Sequence, residues 1–305
     1  MDFKQLTALI TVAEAGSVTR AAELLDLVQP AVTQRIISLE KELGIPLFER
    51  TQQGMRPTEA GTIMVDHARR ALDELKRARV RLQPTGVLTG TVTVGLLEST
   101  GDALGRPFLS LVAREQPHIN LRVITGHSRQ LQRGLDEGDL DVSLLGGPHR
   151  ATLLSAAPLV SDRLWVVAPR SDDLRPDEPV PFAAAVERPL VLPPRDHALR
   201  TLIDMTADDA GAALTIAAEA NSVRMLKQFV LAGHGWTILP GVAIADDLAA
   251  GVVHAAPVCQ PDLERTVILG TPRGRNASPA VQMVGRLLTR GIKSVVAQGG
   301  WHPNV

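Results

Sequence analysis

Several features that define other classes of protein are missing from this sequence. Its 305 residues include one cysteine, Cys259, so an internal disulfide framework is excluded and a reducing compartment is favoured. Cys259 lies in an apolar stretch, where a small buried thiol is the main interpretation and a redox sensor the alternative. No apolar run is long enough to predict a membrane span, and the start, MDFKQLTALI, lacks the cationic region of a signal peptide. We therefore expect a cytoplasmic protein with no membrane partner.

The sequence also lacks an excess of positive charge and the motifs of common enzymes. Its net charge is −1, and residues 1–83 hold 12 Lys and Arg against 11 Asp and Glu, so composition alone does not favour nucleic acid. The eight histidines show no metal-ligand spacing, and no Gly-x-Ser-x-Gly elbow is present. Gly233-His234-Gly235 is not followed by the glycine of a phosphate loop. These absences predict no enzyme, no metal and no cofactor.

Three short helices are predicted in the first 43 residues. The first ends at Gly16, and Ser17 is placed to cap a second helix that runs to about Asp26. Pro30 suits the first position of a third helix, because its missing N–H costs nothing there. The expected buried stripes of the first and third helices are Phe3, Leu6, Ile10 and Ala13, and Val32, Ile36, Leu39 and Leu43.

The face of the third helix opposite its buried stripe carries mostly uncharged hydrogen-bonding groups. Glutamine can recognise adenine through two hydrogen bonds, and threonine can donate, accept or contact a thymine methyl group. A solvated helix face is the alternative interpretation. Two helices joined by a tight turn, with polar groups at the start of the second, favour a recognition helix in a DNA groove. The residues on this face are Gln29, Thr33, Gln34, Ser38 and Lys41.

A β-hairpin is predicted after the third helix. Residues 47–51 and 55–57 form two short extended segments around the turn Gln52-Gln53-Gly54. Arg50 and Arg56 would flank the tip, where they could contact phosphate or enter the minor groove. Plain surface charges are the alternative, and the neighbouring recognition helix favours DNA contact.

A long helix capped by Thr58 is predicted next, with Glu59 in its first turn. Small and apolar residues repeat along it at alternating steps of three and four, a heptad seam typical of paired helices. Packing within one chain is the alternative. A two-fold dimer would place two recognition helices on successive major grooves of an interrupted palindrome. The seam consists of Gly61, Met64, Ala68, Ala71, Leu75, Ala78 and Leu82, and residues 83–86 form the predicted hinge.

From Gly90 onward, strand patterns alternate with helical ones, which predicts parallel α/β sheets in two small lobes. Such sheets bind ligands at the carboxyl ends of their strands, near helix N-termini, where hydroxyl groups suit a small anion such as a carboxylate. Plain helix caps, and for His197 a surface loop, are the alternatives. The expected helices are 102–115, 128–137, 197–210, 222–232 and one after Pro279. The candidate ligand-binding residues are Glu98, Ser99, Thr100, Ser128, Gly147, His197 and Ser222.

The stretch AEAGSVTRAAELLDLVQPAVTQRIISLEKELGIPLFERTQQGMRPTEAG resembles the N-terminal domain of LysR-type transcriptional regulators, and the match covers nearly all of residues 2–61. The resemblance implies base-edge contacts from Gln29, Pro30, Thr33 and Gln34 and wing contacts from Arg50 and Arg56. Ser17 and Ser38 complete the expected DNA-binding set. Departures from the usual family residues, which bear on base preference, occur at Val28, Thr33, Ile37 and Ser38.

The rest of the chain resembles the family's effector-binding domain, through segments such as Leu88-Thr89-Gly90 and Ala232-Gly233-His234-Gly235. That domain is similar to periplasmic binding proteins, in which crossing strands join two lobes. Glu98 is a departure if the effector is anionic, because a carboxylate would repel it. The start of this domain also resembles, loosely, the nitrogen assimilation control branch.

The sequence therefore predicts an α/β multidomain chain. A winged helix-turn-helix occupies residues 1–57, a linker and dimerisation helix with hinge 58–87, and a two-lobed effector-binding domain 88–305. Lobe I is expected at 88–161 and 268–305, and lobe II at 162–267. The expected function is DNA-binding transcription regulation, controlled by a small anionic metabolite between the lobes. The expected partners are palindromic double-stranded DNA, the effector, RNA polymerase and further copies of the chain, as a dimer or a dimer of dimers.

Overall fold

The computed structural model describes residues 1–51, 54–81, 87–147, 154–272 and 277–301, with the backbone alone at 73, 76–81 and 154–157. The chain divides into two compact units, Met1–Pro84 and Thr85–Val305. The predicted turn at Gln52-Gln53, the seam residue Leu82 and the predicted hinge at 83–86 lie outside the described residues.

Unit 1 contains three helices, a hairpin and a longer fourth helix, each with a local signal at its boundary. Asp2 and Gln5 form a capping box at the start of α1, and Gly16 ends that helix with φ +63°. Ser17 caps α2 by accepting from the N–H of Arg20, as predicted. The elements are α1 (Phe3–Ala15), α2 (Val18–Leu24), α3 (Gln29–Leu43), β1 (Phe48–Thr51), β2 (Gly54–Pro57) and α4 (Glu59–Arg81).

Several boundaries and burial assignments in unit 1 differ from the predictions. Phe3 and Leu43 are exposed rather than buried, because both stand at helix ends while the core forms around the middle turns. The second helix ends before Asp26, whose φ of +53° breaks the helical path. Pro30 is the second residue of α3, not the first, where its missing N–H is equally harmless because early helical N–H groups have no partner in the helix.

The hairpin packs closely on the turn between α1 and α2. The N–H of Met55 donates to the carbonyl of Gly16 at 2.8 Å. A Cβ atom on Gly54 would lie 2.3 Å from the same carbonyl oxygen, and its φ is +125°, so only glycine fits this close approach.

The predicted heptad seam of α4 is divided between two roles. Gly61 and Ala68 are buried within the chain, and a Cβ atom on Gly61 would lie 1.9 Å from the carbonyl oxygen of Leu47. Ala71 and Leu75 are exposed. The prediction that the whole seam forms one continuous pairing surface is therefore wrong, because the first turns of α4 pack against other parts of their own chain. The side chain of Ala78 lies outside the described residues.

Unit 2 contains two hydrophobic cores, and the parts of the unit around them are called lobe I and lobe II. Lobe I is built on β3 (Gly90–Leu97), a 3₁₀ turn (Glu98–Thr100), α5 (Gly101–Glu115), β4 (Ile119–Gly126), α6 (Ser128–Glu137), β5 (Val142–Gly146), β12 (Glu264–Pro272) and α11 (Pro279–Ala297). Lobe II is built on the end of β6 (Leu154–Ala168), β7 (Val180–Pro181), α7 (Phe182–Val186), β8 (Leu190–Leu192), α8 (Ala198–Asp209), β9 (Ile216–Glu219), α9 (Val223–Leu231), β10 (Thr237–Pro240), a 3₁₀ turn (Gly241–Ala243), α10 (Ala245–Ala249) and β11 (His254–Cys259).

The sheet is mixed rather than purely parallel. β3 pairs in parallel with β4 and β5, and β8 pairs in parallel with β9, as predicted. β6 and β12 pair antiparallel over most of their length, and β10 and β11 also pair antiparallel with β6. The strand order is β4-β3-β5-β12-β6-β11-β7, so β6 crosses from lobe I to lobe II. The antiparallel pairs follow from this crossing. β6 leads from lobe I into lobe II, and the strands that lead the chain back beside it run in the opposite direction.

Candidate functional site

Four exposed residues form a stripe along α3. Pro30, Gln34, Ile37 and Lys41 follow one another at steps of four, three and four and are all exposed. Gln29 is exposed at the start of the helix. A helix presenting such a stripe can lie in a major groove with several side chains facing the bases.

Two of the predicted DNA-binding residues are partly engaged within the unit. Thr33 is half-buried, and its hydroxyl donates to the carbonyl of Gln29 at 3.1 Å. Ser38 accepts from Gln5 Nε2 at 3.2 Å and so is turned toward α1. Ser38 is half-buried beside α1, and its contact with DNA stays a prediction.

Two exposed apolar side chains lie on or just before α3. The polar pattern did not predict either of them as a DNA contact. Val28, the residue before the helix, is 71% exposed, and Ile37 is 49% exposed in the middle of the stripe. Their exposure adds apolar groups to a face otherwise made of hydrogen-bonding side chains.

The two wing arginines point to opposite faces of the hairpin. Arg50 lies opposite Met55, and Glu49 lies opposite Arg56. Because directly opposed residues share a face and neighbours along a strand alternate, Arg50 and Arg56 cannot contact the same phosphate from the same side. Both are exposed.

A cleft between lobe I and lobe II encloses about 580 Å³, part of it open to solvent. Lobe I contributes the carboxyl ends of β3, β4 and β5, and lobe II contributes the N-terminal ends of α8 and α9. Glu98, Ser99, Ser128, Gly147 and His197 line the cleft, as do His127, Asn221 and Arg265.

Glu98 connects the two lobes. Its Oε1 accepts hydrogen bonds from Ser222 Oγ at 2.8 Å and from the N–H of Val223 at 3.2 Å. Val223 is the first residue of α9, so this carboxylate occupies the amino end of a helix, where negative charge is favoured. The predicted residues Glu98 and Ser222 are therefore brought together.

A buried ion pair lies at the cleft and bonds to one of the side chains that line it. Arg265 Nη2 donates to Asp162 Oδ2 at 2.8 Å, and its Nε donates to the same oxygen at 3.1 Å. Arg265 Nη2 also donates to Ser99 Oγ at 2.9 Å. Both charged residues are buried, and they stand opposite each other on β12 and β6. The guanidinium thus orients Ser99 while its charge is balanced by Asp162.

Three other predicted residues fill mainly structural positions. Ser128 Oγ donates to the carbonyl of Gly146 at 2.8 Å and accepts from the N–H of Gly146 at 2.9 Å, which ties α6 to β5. Gly147 lines the cleft with φ +99°. Thr100 is fully buried, and its hydroxyl donates to the carbonyl of Leu97. The placement of Thr100 in the ligand site is therefore wrong, because the 3₁₀ turn directs its side chain into the core.

His197 is an uncharged cap that faces the cleft. Its Nδ1 accepts from the N–H of Leu199, so α8 begins at Ala198 and His197 is its N-cap rather than its first residue. The pKa of His197 is lowered to about 4, first by burial and then by the neighbouring His127 and Arg265, against a smaller opposing effect of Asp196. The rings of His127 and His197 lie 5.5 Å apart across the cleft.

Arg265 and Asp162 are the main features that the sequence did not reveal. Arg265 stands just before the strand pattern at 267–270, and Asp162 lies 103 residues away in β6, just before the strand pattern at 164–168.

Two kinds of feature are absent from the described ranges. No helix there combines the length and apolar character needed to cross a bilayer. In the same part of the chain, no group of three or more His, Cys, Asp or Glu side chains could hold a metal ion.

The fold defines a class of protein: a winged helix-turn-helix unit with an exposed recognition helix, together with a two-lobed α/β unit with a cleft between its lobes. Two family models match the chain. The model described as a bacterial regulatory helix-turn-helix protein, lysR family, covers residues 3–62, and that of the LysR substrate binding domain covers residues 85–292. The chain therefore belongs to the LysR family of DNA-binding transcriptional regulators, which are not enzymes.

Known proteins are similar over nearly the whole chain. The transcriptional regulator BbuR of Bordetella bronchiseptica is 29% identical over 100% of this chain and 95% of its own. The nitrogen assimilation regulatory protein nac of Klebsiella aerogenes is 29% identical over 94% of each chain, in keeping with the loose resemblance noted in the sequence. The structure of full-length CbnR complexed with its target DNA has a TM-score of 0.70 at 21% identity, covering 95% of this chain and 100% of that one.

Proposed function

We propose that this regulator binds an interrupted palindrome as a dimer and changes its DNA contacts when a small anionic metabolite enters the cleft between lobe I and lobe II. The observation that carries the proposal is the contact of Glu98 with Ser222 and Val223. A carboxylate already lies where the two lobes meet. A ligand carboxylate competing for that place would alter the relation between the lobes, which is what coupling to DNA requires.

The proposed DNA interface is centred on the start of α3. Gln29, Pro30, Thr33 and Gln34 would contact base edges, and Ser17 would present the amino end of α2 to a phosphate. Arg50 and Arg56 would contact phosphates on either side of the wing. Thr33 can still accept a hydrogen bond while its hydroxyl proton is directed to Gln29. Structural similarity to CbnR, whose structure contains its target DNA, supports this assignment.

The proposed dimer pairs the exposed side of α4. Ile63 and Leu75 are exposed apolar side chains on this helix, and Ala71 is exposed between them. Burying such groups against the same helix of a second copy is favourable. We further propose a dimer of dimers that contacts RNA polymerase, acting in the cytoplasm because bacterial DNA is there. The proposed division is 1–57, 58–87 and 88–305, with lobe I at 88–161 and 268–305 and lobe II at 162–267.

The cleft suits an anion bound without chemical change. Ser222 Oγ and the Val223 N–H converge on one carboxylate oxygen, and Arg265 lies in the floor nearby. The ligand should be released unchanged, since the family consists of regulators. Incubation of the purified protein with a bound ligand should return that ligand intact; conversion above a heat-denatured control would contradict this proposal.

One glutamine variant and one arginine variant test the DNA interface in the full-length protein. Gln29→Ala should relax preference at one base position, because a bidentate contact discriminates by about 1–3 kcal/mol. Arg50→Ala should weaken binding to all sequences alike and reduce the slope of log affinity against log salt by about 0.9. Binding measured on an operator library at several salt concentrations separates the two effects, and circular dichroism checks folding. Uniform losses from Gln29→Ala would contradict the base contact.

Ligand screening and footprinting test the effector proposal. The melting temperature of the full-length protein should rise when one or more small mono- or dicarboxylates are added. The uncharged amides of the same compounds should leave it unchanged. With that carboxylate, DNase footprints should change in length or in the hypersensitive bands that report DNA bending. Identical footprints with and without a ligand that binds the cleft would contradict the coupling.

A further inference from the structure

Glu98 lies in the cleft but belongs to lobe I, and both groups that bond to its carboxylate in the described residues belong to lobe II. Ser222 Oγ and the N–H of Val223 donate to it from 124 and 125 residues away along the chain. Hydrogen bonds to a charged acceptor are about twice as strong as neutral ones. The contact therefore favours the arrangement in which the lobes are held together.

The place that Glu98 occupies suits a carboxylate of any origin. Val223 begins α9, so its N–H has no partner within the helix. Ser222 makes no side-chain cap bond to α9, and its hydroxyl donates to Glu98 instead. Two donors thus converge on one oxygen at the positive end of a nine-residue helix.

Lobe I supplies no cation that pairs with Glu98 among the described residues. Arg265, the arginine that lines the cleft, bonds to Asp162 and to Ser99. Its charge is balanced by the buried Asp162. The stabilisation of the Glu98 carboxylate therefore comes from lobe II, and it is lost if the lobes separate.

We propose that Glu98 is the chain's own occupant of the effector's carboxylate position and holds lobe I to lobe II until an anionic effector displaces it. Its role as a competitor rests on the function proposed above. The effector then binds only molecules in which Glu98 has left Ser222 and Val223, and the fraction of such molecules sets the apparent affinity. Removing the carboxylate should tighten effector binding about tenfold, the effect of one charge-assisted hydrogen bond.

Chemical rescue tests this role in the full-length protein. Glu98→Ala removes the atoms of an acetate ion from the side chain, so sodium acetate is the probe. Amide hydrogen exchange at the start of α9 should be several-fold faster in Glu98→Ala than in the wild type. Millimolar acetate should restore slow exchange in a saturable way in the variant and leave the wild type unchanged. Sodium chloride at equal ionic strength should have no effect.

Three further variants make the result specific. Glu98→Gln keeps the shape of the side chain without its charge and should show faster exchange, with no rescue because the place remains filled. Glu98→Ala combined with Ser222→Ala should lose most of the response to acetate. Glu115→Ala is the matched control, because it removes a carboxylate of lobe I that pairs with Arg290 outside the cleft. It should leave α9 unchanged.

Each outcome decides for or against the role of Glu98. Wild-type exchange at α9 in Glu98→Ala would overturn it, and so would acetate protection that is equal in the wild type and the variant. If Glu98→Ala does not fold, Glu98→Gln decides, since wild-type exchange in that variant would also overturn the proposal.

The acetate experiment needs no effector, so its failure is distinct from failure of the proposed function. One outcome is that acetate restores slow exchange in Glu98→Ala while no carboxylate in the screen binds the protein. That result would support the contact of Glu98 with Ser222 and Val223 and contradict the proposed effector class. A carboxylate that binds the wild type and Glu98→Ala equally would overturn the competition while supporting the proposed function.

Discussion

The recognition helix α3 begins without a side-chain cap, and this determines how a single substitution should change its stability. Val28 precedes the helix in extended conformation, with φ −80° and ψ 142°, and no side-chain hydrogen bond reaches the first turn. The neighbouring helices differ, since Ser17 caps α2 and Thr58 Oγ1 accepts from the N–H of Gly61 in α4. Val28→Ser should therefore stabilise α3.

The structure limits the size of this effect. A capping hydroxyl accepts from the second or third residue of the helix, and the second is Pro30, which has no N–H. Only the N–H of Ala31 is left, and it already donates to the carbonyl of Val28 at 3.0 Å. The gain should lie in the lower part of the usual range, about 0.5–1 kcal/mol. Little is lost with the valine itself, because it is largely exposed.

Hydrogen exchange in the full-length protein provides the assay. A gain of this size slows exchange of α3 amides by about two- to fivefold. The three tryptophans lie at 165, 236 and 301, so the fluorescence melt reports on unit 2 and should not change. Val28→Ala is the matched control, because it differs from Val28→Ser by one oxygen. If Val28→Ala slowed exchange as much as Val28→Ser, or if neither did, the capping argument would be refuted.

Three further predictions concern the ion pair, the half-buried histidine and the exposed isoleucine. Asp162→Asn should destabilise unit 2 by about 3 kcal/mol in a fluorescence melt, since it leaves Arg265 buried without its counter-charge. The pKa of His197 is lowered to about 4 in the folded protein, whereas an unfolded histidine has a pKa of about 6.5. The unfolded chain therefore binds the proton more readily. The free energy of unfolding should fall by up to about 3 kcal/mol as the pH decreases from 6.5 to 4. His197→Asn keeps an acceptor for Leu199 and should flatten this dependence. Replacing thymines in the operator by uracils should reveal one position where affinity falls about fourfold, the value of one methyl group, and Ile37→Ala should remove that sensitivity.

Each of these three predictions has an outcome that would contradict it. A loss below about 1 kcal/mol in Asp162→Asn would show that water or another group compensates Arg265. An unchanged pH profile in His197→Asn would assign the acid sensitivity to other groups. Equal uracil sensitivity in the wild type and in Ile37→Ala, at every operator position, would exclude a thymine contact by Ile37.

Local signals in unit 1 predicted its elements well. Gly16 ends a helix with positive φ, and Ser17 and Thr58 begin helices, because each such residue acts on atoms within a few positions of itself. The parallel strands β3, β4 and β5 were predicted for the same reason, since short strand patterns alternate with helical patterns there. Burial at helix ends was predicted less well, as Phe3 shows, because it depends on which neighbours reach that far.

The α4 helix shows where a sequence pattern is ambiguous. The same spacing of small and apolar residues serves for packing within a chain and for pairing between chains. The contact of Gly61 with the carbonyl of Leu47 assigns the first turns to the chain itself. Leu75, with 46% of its surface exposed, is left for a partner. No local property of the sequence separates the two roles.

The sequence by itself determined the family, the elements of unit 1, the recognition helix and five of the residues that line the cleft, because all of these depend on short-range patterns. Only the tertiary structure decided what those residues do. It joined Glu98 to Ser222, paired Arg265 with Asp162 and turned Thr100 into the core. These outcomes depend on strand register and on the approach of two lobes more than a hundred residues apart in the chain, and side-chain spacing carries no information about either.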